Sequence, residues 1–258
     1  MGEKPGRDVS FIGQVVQWFL NPTHWQGDGG IPHRTFEHLV MSGISVFVAA
    51  LIALPIGIAI GHFGKGGNLA INISNIGRAI PSFALLVLAA QLFGIAAASQ
   101  VVGFGAVPAF VALVALAIPP MVTNSYIGMR EVDADVREAA RGMGMRARAV
   151  LLSVELPIAL PFIMAGIRTS AVNVVATATL AAVVAWGGLG RFIVDGLGLQ
   201  DYPMLFAGAV MVAVLSLVVE FSLAGVQRLS TPAGLRPSKS TRKEEPSGTL
   251  VGTAAVAA

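Results

Sequence analysis

"EAARGMGMRARAVLLSVELP", Glu138 to Pro157, lies between two long apolar runs. An apolar chain has no structural need for an arginine-studded segment of this length in its middle. Good helix formers flank two glycines, Gly142 and Gly144, and glycine accepts positive φ and commonly ends helices. The pattern predicts a helix, a sharp turn at Gly144, a second helix, and then Pro157 opening the next apolar run, where its missing N–H costs little. Ala139 and Ala140 are too small to build a core and let a partner approach closely, while Arg137, Glu138 and Arg141 place charges of both signs on the rim. One reading is a stiff plug for a cytoplasmic socket. The other is an amphipathic pair on the membrane surface, with Met143, Met145, Val150 and Leu151 dipping in.

Composition sets the surroundings. Of 258 residues, 55% are hydrophobic and 12% charged, with a mean hydropathy of +0.75. Soluble domains carry a charged fraction of roughly 25%, so most of this surface does not meet water. The net charge of +3 does not mark a nucleic-acid binder, because the basic residues flank apolar runs instead of forming a stripe. No cysteine is present, which excludes disulfides and thiolate metal sites. The segment "FIGQVVQWFL" carries Gln14 and Gln17 and lacks a small-residue cleavage site, unlike a secretory signal.

Five segments approach the roughly 20 apolar residues that a membrane crossing needs: Leu39–Gly61, Ala79–Ala98, Ala106 to about Ile127, Pro157–Trp186 and Pro203–Val226. In a five-span arrangement Lys65, the arginines from Arg130 to Arg148, and the tail residues Arg228, Arg236, Lys239, Arg242 and Lys243 share one side. The positive-inside bias makes that side cytoplasmic and puts the N-terminus outside. Residues 1–36 read as an external arm whose Phe11–Leu20 piece is an amphipathic helix on the outer interface or an ordinary soluble arm. Residues 37–229 read as the membrane domain, with the 130–157 segment as its cytoplasmic loop. Residues 230–258, rich in Ser, Thr, Pro and Gly, read as a cytoplasmic tail, largely disordered after about Arg236.

The spacing in the loop resembles a known signature. Glu138-Ala139-Ala140, Gly144, Val154 and Leu156-Pro157 match the loop of ABC-importer permeases, with Val154 standing where isoleucine is usual. "RAIPSFALL" (78–86), "AGIRTSAVNVVATATLAAVVAWGGLG" (165–190) and "LSTPAGLR" (229–236) are similar to the osmoprotectant branch, whose solutes are glycine betaine, carnitine, choline and similar quaternary ammonium compounds. The resemblance implies an all-α, type I permease of about five spans in a bacterial plasma or inner membrane. It implies an ABC ATPase dimer docked on the loop, a second permease subunit (identical or related) and an extracytoplasmic solute-binding protein. ATP and magnesium would sit on the ATPase, with no cofactor bound by this chain. A permease for another small solute such as an amino acid is the alternative within the class. An ATPase-independent channel or secondary transporter, and a membrane enzyme or sensor recruiting a soluble partner, are the alternatives outside it.

Other motifs are weak. "GHFGKGG" (61–67) lacks the spacing of a phosphate-binding loop. His24, His33, His38 and His62 sit in or near loops with no carboxylate or cysteine at ligand spacing, and no nucleophile–base pair is evident, so neither a metal site nor a catalytic residue is expected. Polar residues inside the spans are costly unless they face protein or a watery path. Arg168, Thr169, Ser170, Asn173 and Thr177, with Trp186 beyond them, are the candidates for a solute path; interhelical hydrogen bonding and close packing explain the same residues equally simply. Arg168 is about 16 Å along the helix from Pro157 at 1.5 Å per residue, and Glu220 is expected to find a partner within the bundle. Trp186, Phe192, Tyr202 and Phe206 cluster in sequence and suggest a cation–π box or interfacial anchors.

Overall fold

The computed structural model describes residues 10–93 and 106–231. All regular structure in them is helical. In chain order it comprises α1 (Phe11–Leu20), α2 (Ile31–Phe63), α3 (Gly67–Ala79), α4 (Ser82–Phe93), α5 (Ala106–Arg130), α6 (Ala134–Gly142), α7 (Ala147–Val150), α8 (Leu156–Thr177), α9 (Gly190–Gly198) and α10 (Tyr202–Ser230). A π-turn, Leu151–Glu155, joins α7 to α8, and a 3₁₀ segment, Ala178–Val184, extends α8.

Local chemistry sets the helix ends. Ser10, Asp133 and Asp201 cap α1, α6 and α10 by accepting from the backbone N–H of Gly13, Asp135 and Met204. Pro32 sits in the first turn of α2, and Gly64 ends that helix in the left-handed region at φ 67°.

α5 is the hub. It packs most extensively on α2 and α8, and also carries α3 and α4; α10 lies on α8 and α9, and α1 lies on α10. The α2–α5 seam is made of small residues at intervals of four. Ala49, Ala53, Gly57 and Gly61 are all buried, and a Cβ on Gly57 would lie 2.8 Å from the Ser125 Cβ. Lipid supplies no hydrophobic drive between helices, so such close backbone approach is how spans gain dispersion contact.

Four stretches are long and apolar enough to cross a membrane: Ile31–Phe63, Ala106–Arg130, Ala147–Val184 and Tyr202–Ser230. The expected second span departs from this. Pro81 biases Ile80 away from helical geometry, so α3 ends at Ala79 and α4 starts afresh at Ser82, with 12 residues to Phe93. The rest of that expected span and the 99–105 loop lie outside the described residues, as do residues 1–9 and the expected tail beyond 231.

The join at Pro157 also differs from expectation. The second helix of the loop does not stop before Pro157; it runs through the π-turn into α8 as one rod, Ala147–Val184. Proline offers no N–H to the carbonyl four residues back and its ring crowds that carbonyl. The π-turn relieves this by letting the Leu156 N–H bond to the Leu151 carbonyl, five residues back.

Candidate coupling loop and solute path

The loop is a helical hairpin closed by glycine. After α6, Gly144 takes φ 85° with nothing within 4 Å of where a Cβ would be, and its N–H bonds the Arg141 carbonyl. The two alanines divide their roles. Ala139 is exposed, whereas Ala140 is buried, along with Val132 and Val150. Glu138 and Arg141 are exposed, and Met143 stands at the tip of the turn with 77% of its surface accessible. The outward face therefore combines a small residue, both charge signs and one large flexible apolar side chain. Val154, Leu156 and Pro157 are half-buried where the rod begins.

Behind the hairpin lies a charged cluster with no local signature in the chain. Glu155 is fully buried. Its Oε2 is 2.5 Å from His62 Nδ1, and its Oε1 is 2.9 Å from Arg137 Nε, an ionic contact outside hydrogen-bond alignment. The terminal Nη2 of Arg137 donates to the Met129 carbonyl. The histidines thus do not simply sit in loops. His62 is in the last turn of α2 and meets a carboxylate 93 residues away in sequence, and His38 is buried with Nε2 2.8 Å from the Val175 carbonyl. Spacing arguments cannot find partners so distant in sequence. Among the described residues, no group of three metal-ligating side chains occurs.

A cavity of about 530 Å³ opens beside α5 and α8, lined by Gly77, Ile80, Pro81 and Ser82 at the α3–α4 break, Leu116, Pro119 and Pro120 of α5, and Thr169, Asn173 and Thr177 of α8. Pro119 and Pro120 remove two ladder donors in mid-helix, and the Asn124 amide donates to the Pro120 carbonyl at 2.8 Å. Among the described residues, the cavity's polar side chains are three hydroxyls and one amide, with no charged group.

The six path candidates separate by helix face. Thr169, Asn173 and Thr177, at intervals of four, line the cavity. Gly166 and Ser170 lie on the neighbouring face against α5: a Cβ on Gly166 would be 2.8 Å from Asn124 Cβ, and the Ser170 hydroxyl donates to the Ala117 carbonyl at 2.8 Å. Arg168 turns the other way, toward α10, where Nε meets Glu220 and Nη1 donates to Gln227 Oε1 at 3.0 Å. Trp186 lines a separate apolar cavity of about 280 Å³ with Val40, Met41, Ile44, Ala106, Val107 and Phe110. Lining and packing are thus both present, on adjacent faces of one helix.

The aromatic residues do not gather into a box. Phe192 meets Trp18 edge-on with centroids 5.5 Å apart, Phe206 meets Phe11 likewise, and Tyr202 is exposed. The Phe192 and Phe206 contacts hold α1 against α9 and α10.

Residues 53–232 match the family described as binding-protein-dependent transport system inner membrane component. The chain belongs to that family. It is 38% identical over 215 residues to the choline transport system permease protein OpuBB of Bacillus subtilis, covering 83% of this chain and 95% of the relative. It is 37% identical to the glycine betaine/carnitine/choline transport system permease protein OpuCB of the same organism, covering 84% and 96%. A carnitine transport permease protein OpuCB of Listeria monocytogenes is 37% identical, covering 80% and 90%. Among solved structures, a chain of the inward-facing MetNI methionine ABC transporter superposes with a TM-score of 0.65 at 25% identity, covering 76% of this chain and 94% of that one. The fold is that of a type I ABC permease, and the chain is a multi-pass inner-membrane permease subunit of an ABC importer. Membership implies an ATPase and a binding protein as partners.

Proposed function

We propose that this permease moves small quaternary ammonium osmoprotectants, such as glycine betaine, choline or carnitine, and that the Glu138–Pro157 hairpin couples it to a separate ATPase. The observation that carries the substrate class is the identity of 37–38% over more than four-fifths of the chain to permeases named for choline, glycine betaine and carnitine transport. The cavity chemistry agrees with a transit site. Among the described residues, hydroxyls and an amide offer a cationic or zwitterionic solute weak contacts, with neither a countercharge to trap it nor an aromatic face for a cation–π cage. Selectivity then rests with the external binding protein.

The cavity is open along one flank of α5 and α8, and a second permease subunit facing it would close the path. In the membrane the N-terminus is outside and the C-terminus in the cytoplasm. ATP and magnesium bind the ATPase dimer; its closure draws the two hairpins together and turns the gate outward as a rigid-body motion.

Uptake of labelled glycine betaine and choline tests the reading, in cells with and without this gene, at low and high osmolarity, each repeated with the partner ATPase inactivated. The expected result is uptake that needs both gene and ATPase. Uptake that persists without the ATPase identifies a channel or secondary transporter. An ATPase that co-purifies with the chain while neither solute is taken up moves the substrate to another class, such as an amino acid.

A further inference from the structure

Glu155 occupies the unspecified position between Val154 and Leu156-Pro157, so the loop signature assigns it nothing. Its placement is nonetheless costly. A fully buried carboxylate loses its hydration, and only well-placed basic partners offset that loss. Two are provided, from different directions: His62 at the end of α2 and Arg137 in the middle of α6. Arg137 also reaches the Met129 carbonyl in the last turn of α5. One carboxylate thus ties together α2, α5, α6 and the rod that becomes α8.

The geometry depends on the π-turn. The extra residue in Leu151–Glu155 shifts the helical register just before Pro157 and leaves Glu155 buried as the last residue of the turn. Such π-bulges occur frequently at functional sites.

The covalent route between α6 and the rod is a short glycine turn held by backbone bonds from Met143, Gly144 and Met145 back into α6, with no side-chain packing to stiffen it. It passes through Gly142 and Gly144, and at neither does any packing neighbour come within 4 Å of where a side chain would begin. A push on the exposed face of α6 would be absorbed by bending there. The Glu155 clamp bypasses the glycine turn.

We propose that Glu155 is the positioning residue of the coupling apparatus: it makes α6 move as one body with α2, α5 and α8, so that load from the ATPase reaches the Thr169–Asn173–Thr177 cavity face instead of dissipating in the Gly142–Gly144 turn. This rests on the coupling reading of the hairpin.

The test uses the whole importer, with the chain co-expressed alongside its ATPase, second permease subunit and binding protein and reconstituted in liposomes. Solute moved per ATP hydrolysed is the readout, which a purely structural role leaves unchanged in complexes that have assembled. Glu155→Gln keeps the side chain's size and removes its charge. The expected result is normal ATPase recovery and basal hydrolysis, with solute per ATP falling at least about fivefold, the lower end of ordinary coupling free energies. Arg137→Gln lowers the ratio similarly, and the double variant is no worse than either single, because both remove one link. A wild-type ratio in assembled Glu155→Gln complexes overturns the proposal. If that variant does not assemble, His62→Gln and Arg137→Lys decide instead, since each leaves the carboxylate a partner; wild-type ratios in both overturn it. If the wild-type chain recovers no ATPase, the coupling reading itself falls, and this inference falls with it.

Discussion

Arg168 Nε lies 3.1 Å from Glu220 Oε1, an ion pair that joins α8 to α10 well inside both helices. At 1.5 Å per residue Arg168 is about 16 Å from Pro157 and Glu220 about 15 Å from Ser230, so the two charges sit at matching depth. The same cluster draws in Gln227, whose amide donates to the Pro161 carbonyl. Each side chain is 34% exposed in the single chain, so neither is sealed in a core.

The pair predicts a structural role for Glu220, not proton coupling. A single charge left in the bilayer costs about 2.5–3.5 kcal/mol on insertion scales. Glu220→Leu alone is therefore expected to lower the folded yield extracted from membranes several-fold, and adding Arg168→Met to restore it. Glu220→Gln leaves Arg168 without a countercharge but with a hydrogen-bond acceptor, so folded yield should fall less than in Glu220→Leu, and uptake per folded molecule should stay at least about half of normal. Loss of uptake in Glu220→Gln, together with uptake that follows an imposed proton gradient, would instead make Glu220 a proton carrier.

Two neighbouring residues of α8 separate path from packing. Asn173→Phe puts an aromatic ring into the cavity and is expected to cut uptake severely while ATPase recovery and chain level stay normal. Ser170→Ala removes the donor to the Ala117 carbonyl, at about 1–3 kcal/mol for a buried polar group left without its partner. It should lower the melting temperature of the purified subunit with little change in uptake per folded molecule. Reversed outcomes would place the path on the other face of the helix.

Gly144 gives a graded series. Its φ of 85° is closed to proline, which is fixed near −65°, while alanine meets no neighbouring atom and carries only the left-handed penalty of about 1–2 kcal/mol. Gly144→Pro should abolish uptake with the chain still in the membrane, and Gly144→Ala should reduce it partially. Glu138→Arg reverses the exposed charge on the outward face and should abolish uptake without unfolding. Met143→Glu should weaken co-purification of the ATPase, because the most exposed apolar side chain of the hairpin becomes charged. Normal uptake at normal expression in Gly144→Pro or Glu138→Arg would refute coupling through this hairpin.

What the sequence disclosed follows physical range. The apolar runs, the glycine turn and the seven-position loop spacing are local patterns, and they lead to the family and the fold class. Arg168, Thr169, Ser170, Asn173 and Thr177 were legible as polar residues of one span, but the sense in which α8 faces its neighbours was not: residues 168, 169 and 170 point to α10, the cavity and α5 respectively. The Glu155 cluster was illegible because its members come from segments far apart in the chain, and the turn that buries Glu155 is an irregularity no periodic template contains. Pro81 and Pro157 were visible, yet one breaks its helix and the other does not. A proline alone does not decide the matter, since Pro55, Pro119, Pro120 and Pro161 also lie inside continuous helices.

The α2–α5 seam yields a last prediction with its own control. Gly57 and Gly43 lie on the same helix. A Cβ on Gly57 would come within 2.8 Å of Ser125 Cβ, whereas one on Gly43 meets nothing within 4 Å. Gly57→Leu must push α2 off α5, at about 1–3 kcal/mol or more for overpacking a close contact, and Gly43→Leu only adds apolar surface toward lipid. The expected result is a clear drop in melting temperature of the detergent-purified subunit for Gly57→Leu and almost none for Gly43→Leu. Because α2 also carries His62, the displaced helix should loosen the contact with Glu155, so surviving Gly57→Leu complexes should lose solute per ATP as well as stability. Equal melting of the two variants would mean that the seam contributes nothing beyond what lipid offers, and that α2 is held to α5 by other contacts.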